Sequence, residues 1–132
     1  IWSREFTQGY TPGQTGLDRL IAFDKGDFIG RAAALKERDG GDARRCVVTL
    51  EIDAIDADAS GFEPVWHQGR RVGFVTSGGY GYTVGKSLAL ALVDRDFAGE
   101  GSALSAHIVG IERPARVIAA SPYDPSGKVM RQ

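Results

Sequence analysis

Lys86 stands in the stretch of this sequence whose residue types come nearest to phosphate chemistry, Gly79 followed by Gly85-Lys86-Ser87. A phosphate loop needs a glycine, four residues, Gly-Lys-Ser/Thr and then a helix, because the helix N-terminus offers free N–H groups and a dipole to the anion. Here five residues separate the two glycines, and Tyr80 is the first of them. After Lys86 the sequence reads Ser-Leu-Ala-Leu-Ala-Leu, which alternates with period two as a strand does. The stretch 72–93 therefore reads as strand, glycine-rich connection, strand, its glycines shaping β structure rather than cradling an anion.

Other chemistry is equally thin. Gly-x-Ser-x-Gly does not occur, and Thr76-Ser77-Gly78 reads as a strand-end turn. Glu51, Asp53, Asp56 and Asp58 could supply a carboxylate pair, but they belong to an acidic, small-residue loop that reads as solvated surface. Asp53, Asp56 and Asp58 followed by Glu63 loosely match a calcium-loop spacing. Tyr80, Tyr82 and Tyr123 could stack on a flat ring or close one end of a β structure. Cys46 is the only cysteine and His67 and His107 the only histidines, too few for a zinc site. Cys46 alternates with Val48, Leu50 and Ile52, so it reads as a core thiol.

The elements that must position these residues are short. The chain has 132 residues, 42% of them hydrophobic and 25% charged, which is enough for one domain with a core of its own. With 16 Lys+Arg against 17 Asp+Glu the net charge is −1, which argues against nucleic acid as a partner. No apolar run is long enough to span a membrane as a helix. One cysteine leaves no intrachain disulfide, and a reducing, cytoplasmic compartment is the expectation. The first residue is Ile1 rather than methionine, which suggests a piece of something longer.

Residues 1–26 carry Gly9, Pro12, Gly13 and Gly16 and read as a mostly irregular lead-in, packing on the rest or on a missing domain. Residues 27–40 read as a helix, with Asp27 as its N-cap and Gly40-Gly41 as its stop. Strands follow at 45–52, at 64–67 and 70–76 around the hairpin signal Gln68-Gly69, at 86–93, around Leu104, Ala106 and Ile108, and at 116–119. The predicted fold is mainly β: a small antiparallel six-stranded Greek-key-like barrel over 27–132 with one N-terminal helix.

Three segments, taken together, resemble the C-terminal region of the aminomethyltransferase family. They are Tyr10-Thr11-Pro12-Gly13-Gln14-Thr15-Gly16-Leu17-Asp18-Arg19 running on to Phe23-Asp24-Lys25-Gly26-Asp27-Phe28-Ile29-Gly30-Arg31; Val72-Gly73-Phe74-Val75-Thr76-Ser77-Gly78 running on to Gly85-Lys86-Ser87-Leu88-Ala89-Leu90-Ala91; and Ser121-Pro122-Tyr123-Asp124-Pro125. The family includes the T-protein of the glycine cleavage system and the folate-binding halves of dimethylglycine and sarcosine dehydrogenases. The Asp27 to Arg31 segment and the Pro-Tyr-Asp-Pro ending look closer to the dehydrogenase branch.

The resemblance implies a C-terminal barrel attached to a tetrahydrofolate-binding body that moves a one-carbon unit from a small methylated or aminomethylated amine. In the dehydrogenase branch an FAD domain stands further upstream. It implies that the catalytic aspartate and the pterin-holding residues precede this chain, so no catalytic residue carries over. Three positions could touch the cofactor: Arg19 and Lys128 could pair with the carboxylates of the folate tail, and Tyr123 could stack. The alternative for both cations is a solvated surface, the commoner fate of such residues. Gln14 departs from the acidic residue usual in the family after the Thr-Pro pair. A second reading is a stand-alone binding or interaction module built on the same barrel without catalysis. Trp2, Phe6 and Leu17, if exposed, would make a sticky patch.

Overall fold

The computed structural model describes residues 2–41 and 44–131, with Ile1, Asp42, Ala43 and Gln132 outside the described residues. From Arg45 onward, alternation becomes six strands: β1 Arg45–Ile52, β2 Pro64–His67, β3 Arg70–Gly81, β4 Lys86–Asp94, β5 Ala103–Ile108 and β6 Ile111–Ile118. They close into a barrel in the order β1-β4-β3-β2-β5-β6, and every pairing is antiparallel. Strands β2, β3 and β4 follow one another, and β1 returns beside β4 across the long loop 53–63. That arrangement is a Greek key. Alternate side chains fill the interior: Leu50, Val65, Val72, Val75, Ala91, Val93, Ala106 and Ile108 are buried, so the barrel holds a core and not a lumen.

The turns follow backbone chemistry. Gln68 and Gly69 both have positive φ, 48° and 78°, the left-handed pair that a two-residue hairpin needs between β2 and β3. Val109 and Gly110 do the same between β5 and β6, at 50° and 81°. The sequence reading missed this second hairpin and began the last strand at 116 instead of Ile111. A β-branched residue is a poor signal for φ above zero, and Pro114 argues against a strand. The Pro114 carbonyl accepts the Asp53 N–H at 2.8 Å, so its missing N–H falls on the same side. That side lies just past the last β1–β6 pair, Ile52–Ala115, so the proline forgoes only a bond at the end of the pairing.

The glycine-rich stretch is a second correction. It is not a connection, because β3 runs through it to Gly81. Val75 pairs with Ala91 and Ser77 with Leu90, which leaves Thr76 as the extra residue of a bulge. Its buried hydroxyl donates to the Leu90 carbonyl at 3.1 Å. Gly78 is required because loop 53–63 crosses this strand: a Cβ there would lie 2.4 Å from the Ala59 carbonyl oxygen.

The lead-in is more ordered than the sequence suggests. A one-turn helix, α1 Pro12–Thr15, forms because Thr11 and Gln14 make a reciprocal capping box and proline occupies the first turn. Gln14, a departure by family pattern, is thus half of that cap. Helix α2 is Arg31–Gly40, shorter than 27–40. Asp27 does not cap it; its carboxylate takes the adjacent Phe28 N–H at 3.0 Å, and Gly30 at φ 88° starts the helix without a side-chain cap. Glu37 of α2 accepts the Thr11 hydroxyl. The Arg31 guanidinium forks onto the Phe23 carbonyl at 3.0 and 3.1 Å. Ahead of α1, Arg4 donates to the Thr76 carbonyl at 3.5 Å and lies over the Phe62 ring, 5.0 Å from its centre. Trp2 is exposed, while Phe6 and Leu17 are half-buried.

Adjacent glycines test the crossing of loop and strand. Gly78→Ala is expected to cost about 1–3 kcal/mol by forcing the loop off β3. Gly79→Ala, with open space at its Cβ position, is expected to be neutral or to stabilise by up to about 1 kcal/mol. Urea denaturation midpoints of the two variants check this, and equal midpoints would remove the close approach at Gly78 from the account.

Candidate functional site

Of the residues singled out for phosphate chemistry, Gly85, Lys86 and Ser87 line a cleft of about 450 Å³ beside the last residues of β1 and the first of β4. Glu51, Tyr80, Lys86, Arg116, Ile55 and Pro114 line it. Register explains the charges. Glu51 and Arg116 are direct cross-strand partners on β1 and β6, and such opposite-charge pairs attract. Both Glu51 carboxylate oxygens accept from Arg116 at 3.2 Å, and Lys86 approaches at 3.3 Å. Burial pushes the Glu51 carboxyl up, but hydrogen bonds and charge from Arg116 and Lys86 outweigh it and hold it below its ordinary value. Lys86 thus answers a carboxylate and opens a strand. A group held this firmly in its charged form is poorly suited to pass protons near neutral pH.

The acidic loop is divided among separate partners. Asp56 pairs with Arg113 at 2.8 Å, and that hydrogen bond holds its carboxyl below the ordinary range. Asp58 accepts the Ser87 hydroxyl at 2.7 Å. Glu63 takes the Ser60 N–H at 2.6 Å and the Val109 N–H at 3.0 Å. These carboxylates clasp the loop to β4, β6 and the β5–β6 turn. Among the described residues no group of three or more His, Cys, Asp or Glu side chains is placed to hold a metal ion.

The serine, histidines and cysteine singled out in the sequence are engaged in local contacts. Ser77 donates its hydroxyl to Glu5 at 2.5 Å, and no imidazole is among its hydrogen-bond partners. Glu5 is the sequence-invisible residue here. It lies fully buried at 0% exposure, although nothing in the irregular run around it signals burial. Burial works to raise its pKa, but hydrogen bonds to the carboxylate, that of Ser77 among them, outweigh it and bring the group down to about 2. His67 bonds the Ala103 carbonyl through Nδ1 at 3.0 Å and packs against Phe97. His107 stacks on Trp66, with ring centres 5.3 Å apart. Cys46 is half-buried against the core, and burial raises its thiol pKa above the ordinary value.

The three residues offered for cofactor contact lie in the irregular ends. Arg19 sits in a 3₁₀ turn, Asp18–Leu20, and donates to the Gly16 carbonyl at 3.3 Å. Lys128 is exposed, its backbone N–H held by Asp124 at 2.8 Å. Tyr123 is exposed just ahead of it. Among the described residues no hydrogen bond, ion pair or ring contact joins any two of the three. Tyr80 meets Tyr82 edge to face at 5.1 Å near the end of β3.

Periodicity gave no hint of a second, less polar cavity. It measures about 490 Å³ and lies between α1 and the segment leading into α2, lined chiefly by Pro12, Ile21, Phe28, Ile29, Ala33 and Ala34. Among the described residues no helix is long and apolar enough to cross a membrane.

Geometry thus defines a closed Greek-key barrel with a helical lead-in. Residues 45–124 match the model of the glycine cleavage T-protein C-terminal barrel domain, and the chain belongs to that family. It is 35% identical over 118 residues to mitochondrial dimethylglycine dehydrogenase of Rattus norvegicus, an alignment covering 89% of this chain and 14% of that protein. It is 36% identical over 126 residues to an aminomethyltransferase of Saccharopolyspora erythraea, covering 93% of this chain and 34% of that protein. The crystal structure of glycine cleavage system aminomethyltransferase T from Bartonella henselae superposes with a TM-score of 0.77 at 24% identity, over 89% of this chain and 33% of that one. That likeness is one of fold. The chain spans about a third or less of the length of these relatives.

The lowered pKa of the buried Glu5 carboxyl makes stability depend on pH. A carboxyl whose folded pKa is depressed stabilises fully above its unfolded value and loses that contribution as pH falls through the folded one. Stability should therefore decline from about pH 4.5 toward about 2. Glu5→Gln is expected to lose about 1–3 kcal/mol at neutral pH and to show a shallower acid decline. Urea unfolding of both proteins across this range checks it, and parallel profiles would exclude Glu5 as a contributor.

Proposed function

We propose that this chain is the C-terminal barrel of a longer, tetrahydrofolate-dependent one-carbon transferase of the dimethylglycine dehydrogenase and aminomethyltransferase kind. Its work there is to support the folate-binding body and close one side of its cleft, with no transferase turnover of its own. The observation that carries this reading is the filled interior. A barrel whose inward positions are occupied by Leu50, Val65, Val75 and Ile108 has no room for a ligand at its centre. Whatever it contributes must come from its surface. The relatives supply the rest: their names denote amine-processing enzymes, and most of their length lies outside the part matched here.

On this reading the substrate is a small methylated amine bound by the upstream body, and an FAD domain precedes that body if the parent is of the dehydrogenase kind. Tetrahydrofolate would accept the one-carbon unit. Arg19 and Lys128, both exposed cations, would meet the carboxylates of its tail, and Tyr123 would offer a ring face beside them. Their part is to bind and orient the cofactor.

Titration calorimetry of this chain alone with tetrahydrofolate is expected to give no saturable heat. Saturable binding would show that the barrel carries a site of its own and would overturn the supporting role. In the longer gene product, Arg19→Ala and Lys128→Ala are each expected to raise the KM for tetrahydrofolate about two- to fivefold with kcat unchanged, the size of a solvent-screened ion pair. An unchanged KM in both variants would remove these residues from the ligand's surroundings.

A further inference from the structure

We infer that the apolar groove beside α2 is the seat on which the upstream body of the parent protein docks. This rests on the reading of the barrel as one part of a longer transferase, and it names the face that makes the joint.

The argument begins with α2 itself. A ten-residue helix is below the length that holds in water by itself. In folded proteins such helices survive by burying one face. None of the ten residues of α2 is buried, although Ala32, Ala33, Ala34 and Leu35 stand in a row within it. Its chief neighbour among the described residues is the one-turn helix α1, which in turn lies on β1. What fixes α2 is polar and peripheral: Glu37 on the Thr11 hydroxyl, Arg31 on the Phe23 carbonyl, and Arg38 over the Phe23 ring at 4.5 Å. These hold a helix in place without giving it a core.

The groove provides the missing half. Pro12, Ile21, Phe28, Ala33 and Ala34 form an apolar concavity of about 490 Å³, and Ile29 projects at its rim with a side chain wholly in solvent. A scattered exposed isoleucine is ordinary, but one beside an unfilled apolar groove marks a surface built to be covered. The occupant follows from length. Relatives that match this chain carry about two thirds or more of their length beyond it, and the family description places this barrel at the C-terminal end. The bulk of the parent therefore precedes the barrel, and the helical lead-in is the element of this chain nearest to it in sequence. A covalently attached body faces the groove at an effective concentration of about millimolar, which a free second copy would not match.

Hydrogen exchange across residues 12–40, measured in this chain alone and in the longer gene product, tests the inference. Amides of Arg31–Gly40 are expected to exchange at least about tenfold more slowly in the longer protein. Ile29→Asp or Ala33→Arg is expected to abolish that slowing while β1–β6 keep their protection, since both positions are exposed and off the barrel. Equal exchange in the two proteins would overturn docking at this groove while leaving the multidomain reading intact. Slowing that survives both variants would also overturn it, placing the joint elsewhere. A gene product no longer than this chain would overturn the multidomain reading and this inference together. Protection of the groove in this chain alone that grows with concentration would overturn the upstream occupant in favour of a second copy.

Discussion

Strand β1 is hydrogen-bonded along both sides, to β4 over its whole length and to β6 over its second half. The rest of the structure depends on that double pairing. The consecutive strands β2, β3 and β4, and β5 with β6, would make a sheet with two raw edges, the edge of β4 and the edge of β6. An unpaired strand edge templates pairing with other chains. By lying in the gap, β1 removes both edges at once and encloses the core. The cost is topological: the chain must travel from the end of β1 to β2 through loop 53–63, which passes over the core side of β3 with Ala54 and Ala59 buried in the core. The loop can lie there because Gly78 lets the Ala59 carbonyl approach. It stays there because Asp56, Asp58 and Glu63 each reach a different element.

The acidic loop therefore changes meaning between sequence and structure. By spacing it resembles a cation site or a solvated face. In the fold it is a set of tethers whose charges are spent on Arg113, Ser87 and two backbone N–H groups. The same holds for Lys86 and Arg116, which converge on Glu51. These exposed pairs contribute little stability one at a time. Their arrangement still uses up many of the charged groups near the barrel's polar cleft. Glu5 is the exception in weight, since it is fully buried and must be satisfied where it lies.

Barrel class, five of the six strand positions and the first hairpin were legible because they rest on period-two alternation and on Gln68-Gly69, both local signals. The sixth strand was half legible: Pro114 and Val109 are poor strand and turn residues in isolation, tolerated only through the places they take in the closed sheet. The extent of β3 was hidden for the same reason, since Gly78 and Gly81 weaken a strand by propensity, yet Gly78 is demanded by the loop that crosses there. Helix α2 was found but misbounded, because a side-chain cap at Asp27 is the ordinary signal and Gly30 starts the helix by backbone conformation instead. Contacts between distant segments, Glu5 with Ser77 and Thr11 with Glu37, leave no periodic trace. The apolar groove left none either, because it is made by two short helices meeting and not by any one stretch of sequence.

The chemistry follows the same division. A closed six-stranded barrel is too narrow to hold a ligand once its inward side chains are in place, so this fold can serve an enzyme only from its outer surface and its ends. Loops and lead-in segments then carry whatever is specific, and the barrel supplies rigidity. In this chain the outer charges are already paired around Glu51 and along loop 53–63. The exposed features away from those pairs lie at the two ends of the sequence: the cations Arg19 and Lys128, the ring of Tyr123, and the uncovered face of α2. A domain that satisfies its strands and loops internally, yet leaves a short helix without a core, is self-sufficient in its sheet and incomplete in its lead-in. On the docking proposed above, that uncovered face is where the upstream body would seat, and the barrel would need nothing from it to close.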